Sequence, residues 1–198
     1  MGEVASQRRI IGLTGGIATG KSTASAYLSR HHQLPVLDAD AYARQAVEKG
    51  SATLAAIAHR YGSKILLDDG TLDRAQLGRI IFNNLEEKNW IEQQIHPFVQ
   101  NKFKTETALF SPLQTLVYSI PLLFEANLTH IVTEIWVVTC QLSQQKQRLM
   151  HRSGLSSNDA QRRIDAQMSL ASKCQLADHV LDNSADIAYL YQQINALI

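Results

Sequence analysis

Residues 10–23, IIGLTGGIATGKST, run from an apolar stretch into Gly15-x-x-x-x-Gly20-Lys21-Ser22. That spacing is a phosphate-binding loop. Gly15, Gly16 and Gly20 permit a tight turn whose backbone N–H groups converge on one anion. Lys21 supplies a mobile ammonium for the outer phosphates, and Ser22 a hydroxyl ligand for Mg²⁺. The run Ile10-Ile11-Gly12-Leu13 predicts a buried strand, and Thr23 to Leu28 predicts a helix that starts near Lys21. The helix dipole adds its positive end at the same phosphates. The eight-residue pattern alone is common, and its place between strand and helix makes it specific.

Beyond that helix, Val36-Leu37 reads as a short strand ending in Asp38-Ala39-Asp40, and Tyr42 to Val47 begins another helix. In an open parallel sheet, ligands collect at the carboxyl ends of the strands, so this strand end is expected beside the loop. Asp38 is expected to end the strand and Asp40 to begin the following loop or helix. A carboxylate near the γ-phosphate accepts a proton from an attacking hydroxyl or holds a water on Mg²⁺. Asp40 is the candidate for that chemistry, with Asp38 as the capping member. The alternative is that both aspartates only cap the helix. Arg44 sits one turn after Asp40 and is a candidate contact for an anionic group on the acceptor.

Residues 51 to about 110 carry helical periodicity and few strand signals, as in Leu54-x-x-Ile57-Ala58 and Leu77-x-x-Ile80-Ile81. Asp68-Asp69-Gly70 predicts a turn, and Asp73 an N-cap. A break or kink is expected at His96-Pro97. Strands are expected at Thr115–Ile120, Thr133–Thr139 and His179–Leu181, with helices over Gln141–His151, over Asn158–Leu170 capped by Ser156 or Ser157, and at the C-terminus.

Arg148 and Arg152 lie one turn apart on one helix face, with Leu142 and Leu149 expected to turn toward the core. Gly154 ends that helix, and Arg162 and Arg163 follow on the next. Such a helix–loop–helix reads as a lid whose arginines neutralise a transferring phosphate; the alternative is a solvated basic hairpin. The strand leading to Pro121 ends without an aspartate, and Glu125 is the nearest acid after it. Mg²⁺ is therefore expected to be held mainly by Ser22, phosphates and waters, with Asp40 in support. This disfavours a motor ATPase, and the lack of Asn-Lys-x-Asp disfavours a GTPase.

The 198 residues suit one α/β domain with an insertion, and the net charge of +1 gives no polyanion-binding bias. Cys140 and Cys174 lack metal-ligand or Cys-x-x-Cys spacing and read as reduced thiols of an intracellular protein. No apolar signal core is seen, residues 1–7 are expected to be a frayed leader, and a cytoplasmic location is expected.

Four segments together resemble the dephospho-coenzyme A kinase family: Gly-Leu-Thr-Gly-Gly-Ile-x-x-Gly-Lys-Ser at 12–22, Asp-Ala-Asp-x-x-Ala-Arg at 38–44, Ile-His-Pro at 95–97 and Ile-Pro-Leu-Leu-Phe-Glu at 120–125. The similarity spans nearly the whole chain. It implies a three-layer α/β P-loop kinase fold with a parallel sheet, a helical CoA-binding insertion and an arginine-bearing lid. The matching subregions are a core at 8–50, 112–142 and 174–198, an insertion at 51–111 and a lid at 143–173. It implies ATP-dependent phosphorylation of the ribose 3′-hydroxyl of dephospho-CoA, with ATP and Mg²⁺ required, and no nucleic acid, membrane or obligatory protein partner.

Carried over by position, Asp40 is the general base, and Lys21 and Arg148 stabilise the transferring phosphate. Gly16, Ala18, Thr19, Gly20, Lys21, Ser22, Thr23, Arg152 and Asn183 bind the nucleotide, and Asp40, Arg44 and His96 face the acceptor. Ala18 stands where many relatives have glycine, and a negative φ is expected there. The residues themselves leave two alternatives: an adenylate-kinase-type enzyme with another acceptor, and a nucleotide-dependent switch. A carboxylate base favours a hydroxyl acceptor, because a nucleoside monophosphate already offers an anionic oxygen.

Overall fold

The five strands expected from the sequence join in one sheet. A computed structural model describes residues 8–82 and 84–198, so the leader expected at residues 1–7 lies outside them. In chain order, β1 (Ile10–Gly15) leads through the glycine-rich loop into α1 (Lys21–Arg30), then β2 (Val36–Asp38) and α2 (Ala39–Ala46). Next come α3 (Ala52–Tyr61), α4 (Arg74–Phe82) and α5 (Leu85–Thr107). The chain continues with β3 (Leu116–Ser119), β4 (Glu134–Thr139), α6 (Leu142–Ser153), α7 (Ser157–Asp165), α8 (Leu170–Gln175), β5 (His179–Asp182) and α9 (Ile187–Asn195).

The five strands pair in the order β2-β3-β1-β4-β5, all parallel. Parallel pairing requires crossover connections, which the intervening helices provide. Ile11, Leu13, Val117, Trp136, Val138 and Leu181 point from the sheet into one buried cluster with Ala24 and Leu28 of α1 and Leu190 and Ile194 of α9. The register aligns Leu13 with Ser119 and Ser119 with Asp38, so the carboxyl ends of β1, β3 and β2 lie side by side.

The chain divides into two compact units, one built from residues up to Asp38 with Phe110–Ile198, the other from Ala39–Leu109. The second has its own core of Val47, Leu54, Ile57, Ile65, Leu72, Leu77 and Ile91. Asp73 caps α4 as expected, accepting the Gln76 N–H at 2.9 Å. Asp69 shapes the expected turn, accepting the Thr71 N–H at 2.9 Å.

Two helix expectations are corrected. Of the break or kink expected at His96-Pro97, the break does not occur: α5 runs through Pro97 as one helix of 23 residues. Proline removes one backbone donor, but Ile91, Val99 and Phe103 are buried on either side of it, and that packing outweighs the lost bond. Thr53 Oγ1 also donates to the Gln94 carbonyl in the turn before the proline, at 3.5 Å. The helix expected over Asn158–Leu170 stops at Asp165 as α7, and a separate helix, α8, begins at Leu170. Ser156 caps the first, and Ser169 caps the second by accepting the Ser172 N–H. Between them the Met168 N–H is drawn to Glu125 Oε1 at 3.0 Å instead of continuing a helix.

Glu87 is the electrostatic hub of the helical unit. Arg60 donates to it through two nitrogens, each at 2.8 Å, and the Tyr61 hydroxyl donates as well. These bonds, Arg60 first, hold the Glu87 carboxyl down to about 2. Burial, then Glu87, pushes the Tyr61 phenol up to about 12. A carboxylate depressed in the folded state contributes stability above its ordinary pKa and loses it as pH falls through the folded value. The contribution is therefore present above about pH 4.5 and fades toward pH 2. Thermal unfolding across that window should show Glu87→Gln losing less of its midpoint on acidification than the parent chain. Parallel losses would remove Glu87 from this role.

Candidate active site

The loop joining β1 to α1 is shaped by donors that seize its carbonyls. Lys173 Nζ approaches the Gly15 carbonyl at 3.3 Å. Thr19 Oγ1 donates to the Gly16 carbonyl at 2.9 Å, Gln145 Nε2 to Ile17 at 2.9 Å, and Asn183 Nδ2 to Thr19 at 2.8 Å. The Gly20 carbonyl takes the first helical bonds, from Thr23 and Ala24. A trans peptide is planar with its C=O and the next N–H opposed, so each fixed carbonyl turns the following N–H to the opposite side. That is how a short loop presents several donors to one anion.

Gly20 has no room for a side chain. Its φ is +106°, and a Cβ there would lie 2.1 Å from Asn183 Nδ2. Ala18 corrects the expectation of a negative φ: it sits at +61°. Loop closure sets this angle, and the alanine takes a left-handed conformation that costs a residue with a Cβ roughly 1–2 kcal/mol.

Lys21 opens α1 and donates to Ser119 Oγ at 2.5 Å, while Ser119 donates to Asp38 Oδ2 at 2.9 Å. Lys21 Nζ also lies 4.0 Å from that carboxylate. β3 ends without an aspartate, and the fully buried Ser119 at that end belongs to no recognisable sequence pattern. Asp38 ends its strand, as expected, and its carboxylate is engaged by this relay.

Ala18, Gly20, Ser22, Gln147, Arg148, His151 and Arg152 line a cleft of about 460 Å³. Arg148 and Arg152 thus share a face, as their spacing predicts, and that face meets the loop. Arg148 Nη2 donates to the Asn183 carbonyl at 3.1 Å, whereas its Nη1 is buried with no hydrogen-bond partner. A buried guanidinium nitrogen left this way suits an anionic ligand. Burial raises the Cys140 thiol above its ordinary pKa, with the Arg148 guanidinium opposing. Both cysteines are free. Leu149 is buried as expected, but Leu142 is corrected to 56 % exposed, because it occupies the first turn of α6.

Thr19 is fully buried, with its hydroxyl spent on Gly16, and the Asn183 amide is spent on Thr19. Thr23 lies in the first turn of α1. Asp40, Arg44 and His96 belong to the helical unit. Asp40 lies in the first turn of α2 and Arg44 one turn on, both exposed. α2 packs along α5, with Tyr42 edge-on to Phe103 at 5.3 Å. His96 is half-buried two turns before Phe103, on the same α5 face. Glu125, the nearest acid in sequence after the strand leading to Pro121, pairs with Lys173 at 2.9 Å.

A sequence profile of the dephospho-CoA kinase family matches residues 9–189. The chain belongs to the dephospho-CoA kinase family. It is 58 % identical to the dephospho-CoA kinase of Synechocystis over 95 % of this chain and 94 % of that one. It is 54 % identical to that of Trichormus variabilis, over 95 % of each. A crystal structure from Thermus thermophilus superimposes with a TM-score of 0.83 at 32 % identity, covering 97 % of both chains. The dephospho-CoA kinase of Campylobacter jejuni does so with a TM-score of 0.70 at 26 % identity, over 95 % of this chain and 94 % of that one. Family membership makes this chain a phosphotransferase whose function is the kinase step completing coenzyme A synthesis.

Gly20→Ala should raise the KM for ATP by about tenfold or more, the worth of a charge-assisted hydrogen bond to phosphate. Steady-state kinetics check this, and an unchanged KM would contradict the loop geometry. Ala18→Gly should raise the thermal midpoint slightly. The left-handed strain it relieves exceeds the roughly 0.4–1 kcal/mol that glycine's freedom costs. A lowered midpoint would show Ala18 to be unstrained.

Proposed function

We propose that the chain transfers the γ-phosphoryl group of Mg·ATP to the ribose 3′-hydroxyl of dephospho-CoA, giving CoA and ADP, with Asp40 as the general base. The observation that carries this reading is the phosphate loop with its Lys21–Ser119–Asp38 relay, opening onto a cleft lined by Arg148 and Arg152. Family membership supplies the acceptor.

The division of labour follows from position and exposure. Asp38 accepts from Ser119 and faces Lys21, so it holds the lysine in place. Asp40, two residues on and exposed, is the carboxylate suited to take the hydroxyl proton. Lys21 and the guanidinium of Arg148 neutralise charge on the transferring phosphoryl oxygens, while Arg152 holds the outer nucleotide phosphates. Backbone N–H groups of the loop and of the first residues of α1 would cradle the phosphates, apart from those of Ile17, Thr19 and Thr23, which go to Gln167, Gly16 and Gly20, and Asn183 serves the cradle by fixing Thr19.

The exposed Ser22 hydroxyl lines the cleft and fits a hard oxygen-seeking cation. Mg²⁺ held there by Ser22 would offset negative charge on the nucleotide phosphates. Residues 51–111 would receive the acceptor and residues 143–173 would cover the nucleotide. Arg44 and His96 would face acceptor groups, Arg44 one turn from Asp40. The reaction needs no macromolecular partner, and a cytoplasmic location agrees with free cysteines and with the described helices, none of which is long and apolar enough to cross a membrane.

Asp40→Asn should lower kcat by roughly 10²–10⁴-fold with the KM for ATP little changed, because a general base acts in the transition state. Coupled measurement of ADP release with dephospho-CoA checks both constants. Full activity in the variant would remove Asp40 from the base role.

A further inference from the structure

Lys173 reads in sequence as the last member of a basic stretch beginning at Arg148. The structure buries it completely. A lysine is almost never fully buried without partners, and this one has three. Its ammonium lies 2.9 Å from Glu125 Oε1, 3.1 Å from the Pro121 carbonyl and 3.3 Å from the Gly15 carbonyl. Three acceptors match the three N–H donors of an ammonium. The Pro121 carbonyl is itself fixed by Thr14 Oγ1 at 3.0 Å.

The Gly15 carbonyl belongs to the first peptide of the phosphate-binding loop. Holding it sets the plane of that peptide and so the direction of the Gly16 N–H. Glu125 does more than neutralise the ammonium. The same oxygen accepts the Met168 N–H at 3.0 Å, in the short linker between α7 and α8. From that linker Gln167 Oε1 accepts the Ile17 N–H at 2.8 Å. The linker thus holds the loop at two points: directly at Ile17, and at Gly15 through Glu125 and Lys173.

We propose that Lys173, held by Glu125, is a positioning residue for phosphoryl transfer: it sets the entry peptide of the phosphate loop and ties the loop to the α7–α8 linker. The proposal rests on residues 15–22 being the ATP phosphate site. Neither side chain needs to touch the substrate. Their effect passes through the Gly15 peptide, and therefore falls on ATP and on transfer rather than on acceptor binding.

The test is steady-state kinetics of Lys173→Met and Glu125→Gln, with Lys21→Ala as a third arm. All are assayed with Mg·ATP and dephospho-CoA well below each thermal midpoint. Lys173→Met should raise the KM for ATP and lower kcat, together reducing kcat/KM for ATP by about 10- to 100-fold, the range for a hydrogen bond to a charged group. The KM for dephospho-CoA should stay unchanged. Glu125→Gln keeps the shape and the acceptor oxygen but removes the charge, so it should move the same constants in the same direction by less. It also decides the matter if Lys173→Met does not fold.

A residue that is merely structural would lower the midpoint and leave both KM values and kcat of the folded enzyme intact. That result in either variant overturns the proposal. If Lys21→Ala weakens ATP use while Glu125→Gln and Lys173→Met do not, only the positioning role fails. If Lys21→Ala also leaves ATP use intact, the assignment of the phosphate site fails first.

Discussion

A polypeptide that binds phosphate through its backbone must keep several N–H groups turned one way. Left alone, a short glycine-rich loop would spend those donors on its own carbonyls. Here the carbonyls of Gly15, Gly16, Ile17, Thr19 and Gly20 are claimed by Lys173, Thr19, Gln145, Asn183 and the first turn of α1. Because C=O and the next N–H oppose each other across a planar peptide, fixing one set fixes the other. Apart from Thr19 of the loop itself, whose N–H and hydroxyl both go to Gly16, the donors come from α1, α6, α8 and the residue after β5, so the site depends on elements far apart in sequence.

The parallel sheet makes that convergence possible. It brings Gly15, Asp38, Ser119 and Asp182 to the same edge as strand ends. The Lys21–Ser119–Asp38 relay joins three of its strand connections in one hydrogen-bonded line. Glycine at position 20 follows from the same crowding: the Asn183 amide that fixes Thr19 fills the space a Cβ would take. Packing, hydrogen bonding and function are one constraint here, since the contact that shapes the loop also excludes alternatives to glycine.

Much of this was legible in the sequence. The strand–loop–helix, the end of β2 at Asp38, the three later strands and the Asp73 and Ser156 caps all carry local signals: apolar runs, turn residues and capping side chains. The pairing of Arg148 and Arg152 followed from helical spacing. What escaped depends on partners distant in the chain. The angle at Ala18 is imposed by loop closure, which no residue-level preference reports. Ser119 looks like any strand serine until the sheet sets it against Asp38. Lys173 looks solvated until its three acceptors are in place. The split between α7 and α8 reflects the Met168 N–H bonding to Glu125, and the continuity of α5 through Pro97 reflects burial on both sides of the proline.

The most direct measurement is ADP release from Mg·ATP by the purified chain with dephospho-CoA, with AMP, or with no acceptor, followed by identification of the phosphorylated product. The account predicts strong stimulation by dephospho-CoA alone and a product phosphorylated at the ribose 3′-hydroxyl. Stimulation by AMP alone, or equal slow release in all three, would contradict it.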